Sequence, residues 1–272
     1  DLRSKVVFQG SSLLEFADMH FEYRGSPVQL NANLSLDQDT ITPLSLNLLT
    51  EYFDLGTLVE TYNYFGLSAL QSAQKIAGKV SLNANLNGQI NDASGLDPKS
   101  LLGAVQFTLH EAELVNFEPI QRIAEKFFRT ERFESIRFAP VTDTLYITRE
   151  VVHIPRMEIQ STAFNLFLEG HINYDNNTNL WISVPWRNFN AWEEGDSIPP
   201  KTGYYHSGAK LYVEVKGNDE KGLDYKFRLR KKKLYQHQGI LPLYRQDRQY
   251  ERQLRRRIRK EKRAARKESS RK

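Results

Sequence analysis

Apolar residues recur along this chain in steps of two. Val28, Leu30, Ala32, Leu34 and Leu36 take every second position, with Gln29, Asn31, Asn33 and Ser35 between them. Val80, Leu82, Ala84 and Leu86 repeat the pattern around Ser81, Asn83 and Asn85. Shorter runs of the same kind are Val105-Phe107-Leu109, Phe164-Leu166-Leu168, Leu180-Ile182-Val184-Trp186, Leu211-Val213-Val215 and Tyr225-Phe227-Leu229. Successive side chains of a strand point to opposite faces, so each run predicts a strand with one apolar and one polar face. Turn-forming residues separate the runs, among them Asp37, Gln38 and Asp39, Asn91 and Asp92, Asp175 to Asn177, and Gly217 to Asp219. The pattern predicts a mainly β chain folded as an antiparallel meander.

Two irregularities refine this picture. Leu14 and Phe16 alternate on even positions, whereas Ala17, Met19, Phe21 and Tyr23 alternate on odd ones. One extra residue near Phe16 and Ala17 produces that change, which predicts a β-bulge. In addition, Val28 to Leu34 is echoed 52 positions later by Val80 to Leu86, each ending in Leu-Asn-Ala-Asn-Leu. The echo reads either as chance convergence on an alternating strand or as a repeated β unit.

Helical signals are few. Asn116 precedes Pro119, and Ile120, Ile123, Ala124, Phe127 and Phe128 follow at helical spacing, predicting a helix over 118–129. Residues 55–65, with Leu58, Val59 and Tyr62, and 68–77, with Leu70, Ala73, Ile76 and Ala77, predict two more short helices. Two or three such helices cannot cover the apolar sides of about ten strands. Burial is worth roughly 25 cal/mol per Å² of apolar surface, so that side has to be shielded. A sandwich, a closed barrel and a curved sheet filled by a ligand all satisfy the requirement.

Composition narrows the function more than the fold. The chain has 272 residues, 40% hydrophobic and 26% charged, as in folded domains that are not membrane-embedded. No apolar run approaches the roughly 18 residues of a spanning helix. With no initiator Met at Asp1, the chain is expected to be a fragment or a processed product, with any targeting segment upstream. The absence of cysteine excludes disulfides, thiol catalysis and Cys-based zinc sites. Residues 226–272 hold 20 Lys/Arg against 4 Asp/Glu, whereas residues 1–225 hold 18 against 29. An acidic body therefore carries a basic tail, and the pI near 9.2 belongs to the tail.

Candidate chemistry is sparse. His20, His110, His153, His171, His206 and His237 form no metal-ligand spacing, and there is neither a Gly-x-Ser-x-Gly elbow nor a phosphate-cradling glycine loop. Glu193, Glu194 and Asp196 read as a solvated loop. The expectation is a protein that is not an enzyme and has no metal or other cofactor. The loop 188–208, with Phe189, Trp192, Tyr204 and Tyr205, suits a water–lipid boundary, although a cover folded over the end of a sheet is the favoured reading. In the tail, Tyr250, Leu254 and Ile258 lie at i, i+4 and i+8 on a basic stretch. Such a helix suits an anionic surface, with Arg230, Lys231, Lys232, Lys233, Arg255, Arg256 and Arg257 as the binding residues. A solvated, partly disordered extension is the plainer reading.

From residue 101 to residue 186 the order of features resembles the C-terminal region of the AsmA family. A strand through Phe107 and Leu109 passes an acidic turn at Glu111 and Glu113 and leads into the helix after Phe117. Ile136, Phe138 and Val141 follow, then strands through Leu145 and Ile147 and from Val151 to Ile159. A strand through Phe164, Leu166 and Leu168 ends at Gly170, and Leu180, Ile182 and Val184 close the series before Pro185. Residues 12–100 resemble the β repeats upstream of that region.

The family is similar to repeating-β-groove, bridge-like lipid transfer proteins. The resemblance implies a long curved antiparallel sheet forming a taco-like groove, with β-groove repeats over 1–100, the AsmA-like region over 101–230 and the basic tail over 231–272. It also implies phospholipid acyl chains and other envelope proteins as partners, and a periplasmic location held at the inner membrane by an N-terminal anchor not present here. The implied role is phospholipid binding or transfer supporting outer-membrane biogenesis and homeostasis in the cell envelope. The lipid-facing residues would be Leu30, Leu34, Leu82, Leu86, Phe107, Leu109, Leu166, Leu168, Ile182 and Val184. The basic tail has no counterpart in the family pattern. Two other readings stand beside this one: an envelope scaffold with a self-packed β core whose tail docks on an anionic surface, and a nucleic-acid-binding protein acting through the tail. The acidic body shows no RNA-binding aromatic motif, which weighs against the latter.

Overall fold

The computed structural model describes residues 3–9, 13–36, 41–61, 68–71, 73–91, 95–117, 121, 134–162, 165–173, 177–186, 208–218, 222–229, 252 and 256. Among them, thirteen strands form one antiparallel sheet. In chain order these are β1 (Arg3–Gln9), β2 (Leu13–Tyr23), β3 (Ser26–Ser35), β4 (Ile41–Asp54), β5 (Lys75–Asn91), β6 (Gly95–Val115) and β7 (Ser135–Arg137), followed by β8 (Val141–Thr148), β9 (Val151–Ile159), β10 (Leu166–Asn173), β11 (Thr178–Pro185), β12 (Lys210–Asn218) and β13 (Gly222–Arg228). Every strand pairs with its sequence neighbour except that β6 takes both β7 and β8, and β1 and β13 are open edges. The result is a mainly β, open, curved sheet in meander order, as the two-residue periodicity predicts. The boundary expected near residue 100 falls inside β6.

Two short helices lie between β4 and β5: α1 (Leu55–Thr61) and α2 (Ser68–Gln71). The helix predicted over 68–77 is shorter than its pattern, because Lys75, Ile76 and Ala77 pair with Val115, Leu114 and Glu113 of β6. Their spacing fits a helix, but the ladder satisfies three backbone pairs that an isolated turn leaves open. The predicted helix 118–129 lies outside the described residues except Gln121, which is helical and donates its N–H to the Phe117 carbonyl at 3.2 Å.

Bulges bend the long strands. The β2–β3 register shifts between Phe16 and Met19, where the parity change lies, and Asp18 has φ +50°. The β4–β5 register shifts between Thr50 and Phe53, with Tyr52 at φ +53°, and β5–β6 shifts between Ala77 and Lys79 opposite Glu111 at φ +50°. The backbone N–H groups that leave the ladder are taken by side chains. Asp18 donates to Asn31 Oδ1 at 2.8 Å, and Tyr52 donates to Ser81 Oγ at 3.2 Å. Close approach also curves the sheet at Gly103 and Gly170, at φ +152° and +147°. A Cβ on either would collide with a backbone carbonyl oxygen, of Asn85 or of Asn179.

Strands β8 and β9 pair over three positions only, Tyr146 to Thr148 against Val151 to His153. Beyond these pairs the two strands diverge. The gap is bridged by the segment after β7: Phe138 bridges Ser161, Ala139 donates to the Gln160 carbonyl and Thr162 donates to the Arg137 carbonyl. Ile136, fully buried, packs there with Leu166, Val184, Leu211, Val213 and Val215. The main core thus fills the wedge between the two halves of the sheet.

Asp54 caps α1. Its Oδ1 accepts the Thr57 N–H at 2.8 Å, and Lys79 Nζ lies 3.4 Å from Oδ2. The Thr57 hydrogen bond, helped by Lys79, holds the carboxyl below its ordinary value of 3.8. Asp54→Ala is expected to cost about 1 kcal/mol in urea denaturation at neutral pH. Because the folded-state value is depressed, this contribution is complete above the unfolded carboxylate pKa and is lost as pH falls through the lower folded one. The difference between wild type and variant should therefore close below about pH 4. An equal difference at every pH would refute the capping role.

Candidate functional site

In an antiparallel pair, directly opposed residues share a face, so the registers trace continuous rows across the sheet. One row runs Val6, Phe16, Ala32, Leu46, Leu86, Gly103, Ile147, Val152 and Ile172, from β1 to β10. A second runs Met19, Leu30, Leu48, Ala84, Val105 and Leu145. No charged residue interrupts either row. All ten residues assigned to the apolar groove lie on this one face.

The echoed segments are β3 and β5, which flank β4 on the same face. Leu30 leads through Leu48 to Ala84, and Ala32 through Leu46 to Leu86. The copies are thus staggered by two residues, so that the alanine of each lies in a row with a leucine of the other. Ala32 and Ala84 are buried, whereas Leu30, Leu34, Leu82 and Leu86 are only partly so.

The ten residues divide into two environments. Leu30, Leu34, Leu82, Leu86, Phe107 and Leu109 of β3, β5 and β6 are partly buried. On the same face, Val6, Phe8, Leu36 and Leu96 are 46%, 70%, 44% and 44% exposed, so the apolar surface reaches open solvent. At the other end Leu166 and Val184 are buried in the core, with Leu168 and Ile182 packed against them. There the face is filled by the protein's own side chains. Among the described residues the apolar trough is therefore partly open over β1–β6, away from the end that α1 covers, and filled over β10–β13.

The opposite face also changes character along the sheet. Over β3–β5 it is a neutral, exposed amide surface with Asn31, Asn47 and Asn85 in one row and Asn33, Ser45 and Asn87 in the next. At one end of β10–β12 it is buried, where Phe167, Ser183, Lys210, Tyr212 and Glu214 are 8% exposed or less, whereas His171, Asn179 and Lys216 toward the other end are only partly so. Arg156 stacks its guanidinium 4.7 Å from the Phe167 ring centre, and Glu214 holds Lys216 at 2.8 Å and Arg228 at 3.8 Å. The alternation Lys210-Leu-Tyr-Val-Glu-Val215 predicts one wet face, and the structure buries both.

Two histidines that look isolated in the sequence are cross-strand neighbours. His153 of β9 opposes His171 of β10, with ring centres 6.3 Å apart, and His153 Nε2 lies 2.8 Å from Thr148 Oγ1. Burial, then His153 and Lys216, keep the His171 imidazole below its ordinary value. Only the strand register reveals this pair, because 18 residues separate its members. Among the described residues no group of three His, Cys, Asp or Glu is placed to hold a metal, and no helix is long and apolar enough to cross a membrane. Of the seven basic residues assigned to an anionic surface, only Arg256 is described, as helical and exposed; Arg230, Lys231, Lys232, Lys233, Arg255 and Arg257 lie outside the described residues, as does the aromatic loop before Gly208.

No family model, curated protein or solved structure matches the chain.

The two environments make a stability test. Leu211→Ala removes a fully buried side chain and is expected to cost about 3 kcal/mol in urea denaturation. Leu86→Ala on the open trough should cost about 1 kcal/mol. Equal losses would mean that both ends of the face are packed alike.

Proposed function

We propose that the open half of the apolar face holds phospholipid acyl chains, and that the protein binds or transfers phospholipid in the bacterial envelope. The observation that carries this reading is the uninterrupted apolar row across β1–β8, over which, at β1–β6, the described residues place only the short helix α1 at one end. Contiguous exposed apolar surface of this kind marks a ligand or partner site. An acyl chain suits it because the rows offer methyl and methylene contact along a line, without a polar group that would demand pairing. The AsmA-like order of strands supports the same assignment. On this reading the protein works in the periplasm, anchored at the inner membrane by a segment upstream, and serves outer-membrane homeostasis without catalysis.

The packed wedge at Ile136, Val184 and Leu211 favours a division of labour within one sheet. The C-terminal strands provide a rigid, self-filled end, and the N-terminal strands provide the binding surface. The alternative of a scaffold with a self-packed core applies to those C-terminal strands alone.

Native mass spectrometry of the chain after incubation with phospholipid vesicles should show bound phospholipid. The double variant Leu34→Glu, Leu86→Glu should lose it about tenfold or more while keeping its circular dichroism spectrum, since a carboxylate in an acyl-lined trough is strongly unfavourable. Wild-type protein that takes up no phospholipid would defeat the proposal.

A further inference from the structure

The turn-side rim of the C-terminal strands carries a recess of about 360 Å³ between the β10–β11 hairpin and β12. That volume lies within the usual range of small-molecule sites, at the lower end. Its wall is formed by Lys216, His171, Thr178 and the amides of Asn173, Asn177 and Asn179, beside the bare backbone of Gly217. No carboxylate belongs to this lining. In a body whose first 225 residues hold 29 Asp/Glu against 18 Lys/Arg, a recess lined by an ammonium, an imidazole and amides stands apart.

Three features give the recess its character. The Lys216 ammonium is fixed by Glu214, 2.8 Å away, and Arg228 also lies 3.8 Å from Glu214, so the carboxylate is matched by two cations. Burial first, and then the positive field of His153 and Lys216, hold the His171 imidazole below its ordinary value, and a negative charge in the recess would oppose that field. Asn173 closes the hairpin through its N–H to the Asn177 carbonyl at 3.1 Å, yet its side-chain Oδ1 is buried with no hydrogen-bond partner among the described residues. A buried acceptor left without a donor is costly, and a ligand bearing a hydroxyl would satisfy it.

We infer that this recess is a binding site for a phosphate group that carries a hydroxyl beside it, with Lys216, His171 and the flanking amides on the phosphate oxygens and Asn173 accepting from the hydroxyl. Charge-assisted donors of this kind are the usual phosphate ligands. The same chemistry is offered by a soluble phosphate ester and by a glycerophosphate lipid headgroup. The site does not depend on the partly open acyl trough, which lies over β1–β6 and has its own test.

Protonation of His171 should couple to occupancy. Around it stand His153 on β9, Glu169 on its own strand, Glu214 and Lys216 on β12, and Asp224 opposite Lys216 on β13, where Lys226 pairs with it at 2.9 Å. Of these groups His171, which burial, His153 and Lys216 hold below its ordinary value, is the one that a bound phosphate brings back toward the range near neutrality. A bound phosphate raises the pKa of His171, so binding strengthens as pH falls through that range.

The test is an NMR titration of the histidine ring signals of the full chain in a buffer free of phosphate, with glycerol 3-phosphate as the probe and sodium chloride at matched ionic strength as the control. The expected result is a saturable shift of His171 and a rise in its pKa, both absent with chloride. Lys216→Gln should weaken binding about tenfold or more, the loss of one charge-assisted contact. If removing Lys216 unfolds the strand pair around Glu214, Asn179→Asp supplies the second variant, nearly isosteric, whose added negative charge should abolish the shift. Vesicles of phosphatidylcholine with and without phosphatidylglycerol distinguish the sources. A His171 shift with phosphatidylglycerol vesicles that exceeds the shift with the free ester assigns the site to a headgroup, and the reverse assigns it to a soluble ester. A titration that is linear with no saturation, a chloride effect of the same size, or an unchanged affinity in Asn179→Asp would overturn the site.

Discussion

Among the described residues the sheet is a single layer with one apolar face to shield from water, and the rest of the described fold answers to that constraint. At roughly 25 cal/mol per Å², a row of apolar residues crossing six or more strands represents a large unfavourable exposure. The molecule meets it in two ways. At β10–β13 the segment around β7 folds into the wedge where β8 and β9 part, and Ile136 and its neighbours fill the gap with side chains. At β1–β6, among the described residues, only α1, with Val59 buried, covers one end, and the leucines of β3 and β5 stay partly open.

Curvature follows from the same requirement. A flat sheet would spread its apolar side toward solvent, whereas bulges at Asp18, Tyr52 and Glu111 bend alternate strands, β2, β4 and β6, near one end. Each costs a residue in a left-handed backbone conformation, and two of the displaced N–H groups are taken up by Asn31 and Ser81 of a neighbouring strand. The residues that serve the bulges therefore come from the outer, polar positions of the strands that otherwise read as mere solvent-facing filler. Gly103 and Gly170 interrupt the apolar side where strands approach too closely for a Cβ.

Much of this was legible in the sequence because the side-chain period of a strand is two and its consequence is local. The runs at Val28 to Leu36 and Val80 to Leu86 identify their strands and their faces directly, and the parity change at Phe16 and Ala17 locates the bulge at Asp18. What the period cannot supply is partner and depth. Lys210, Tyr212 and Glu214 alternate with apolar residues as a wet face would, yet they are buried, because burial depends on what lies over a strand and not on its own pattern. Ile76 and Ala77 sit at helical spacing but join a ladder, a case of tertiary pairing overriding a weak local preference. His153 and His171 become neighbours only through register, and the recess beside Lys216 arises where two hairpins end together.

The two ends of the apolar face also make the account exposed to a direct measurement. A photo-crosslinking amino acid placed singly at Leu34, Leu86 or Val213, with the protein in its native cellular setting, reports what each position touches. The account predicts phospholipid adducts at positions 34 and 86 and only intramolecular products at 213. Phospholipid adducts at none of the three positions, or at 213 as readily as at 86, would contradict it.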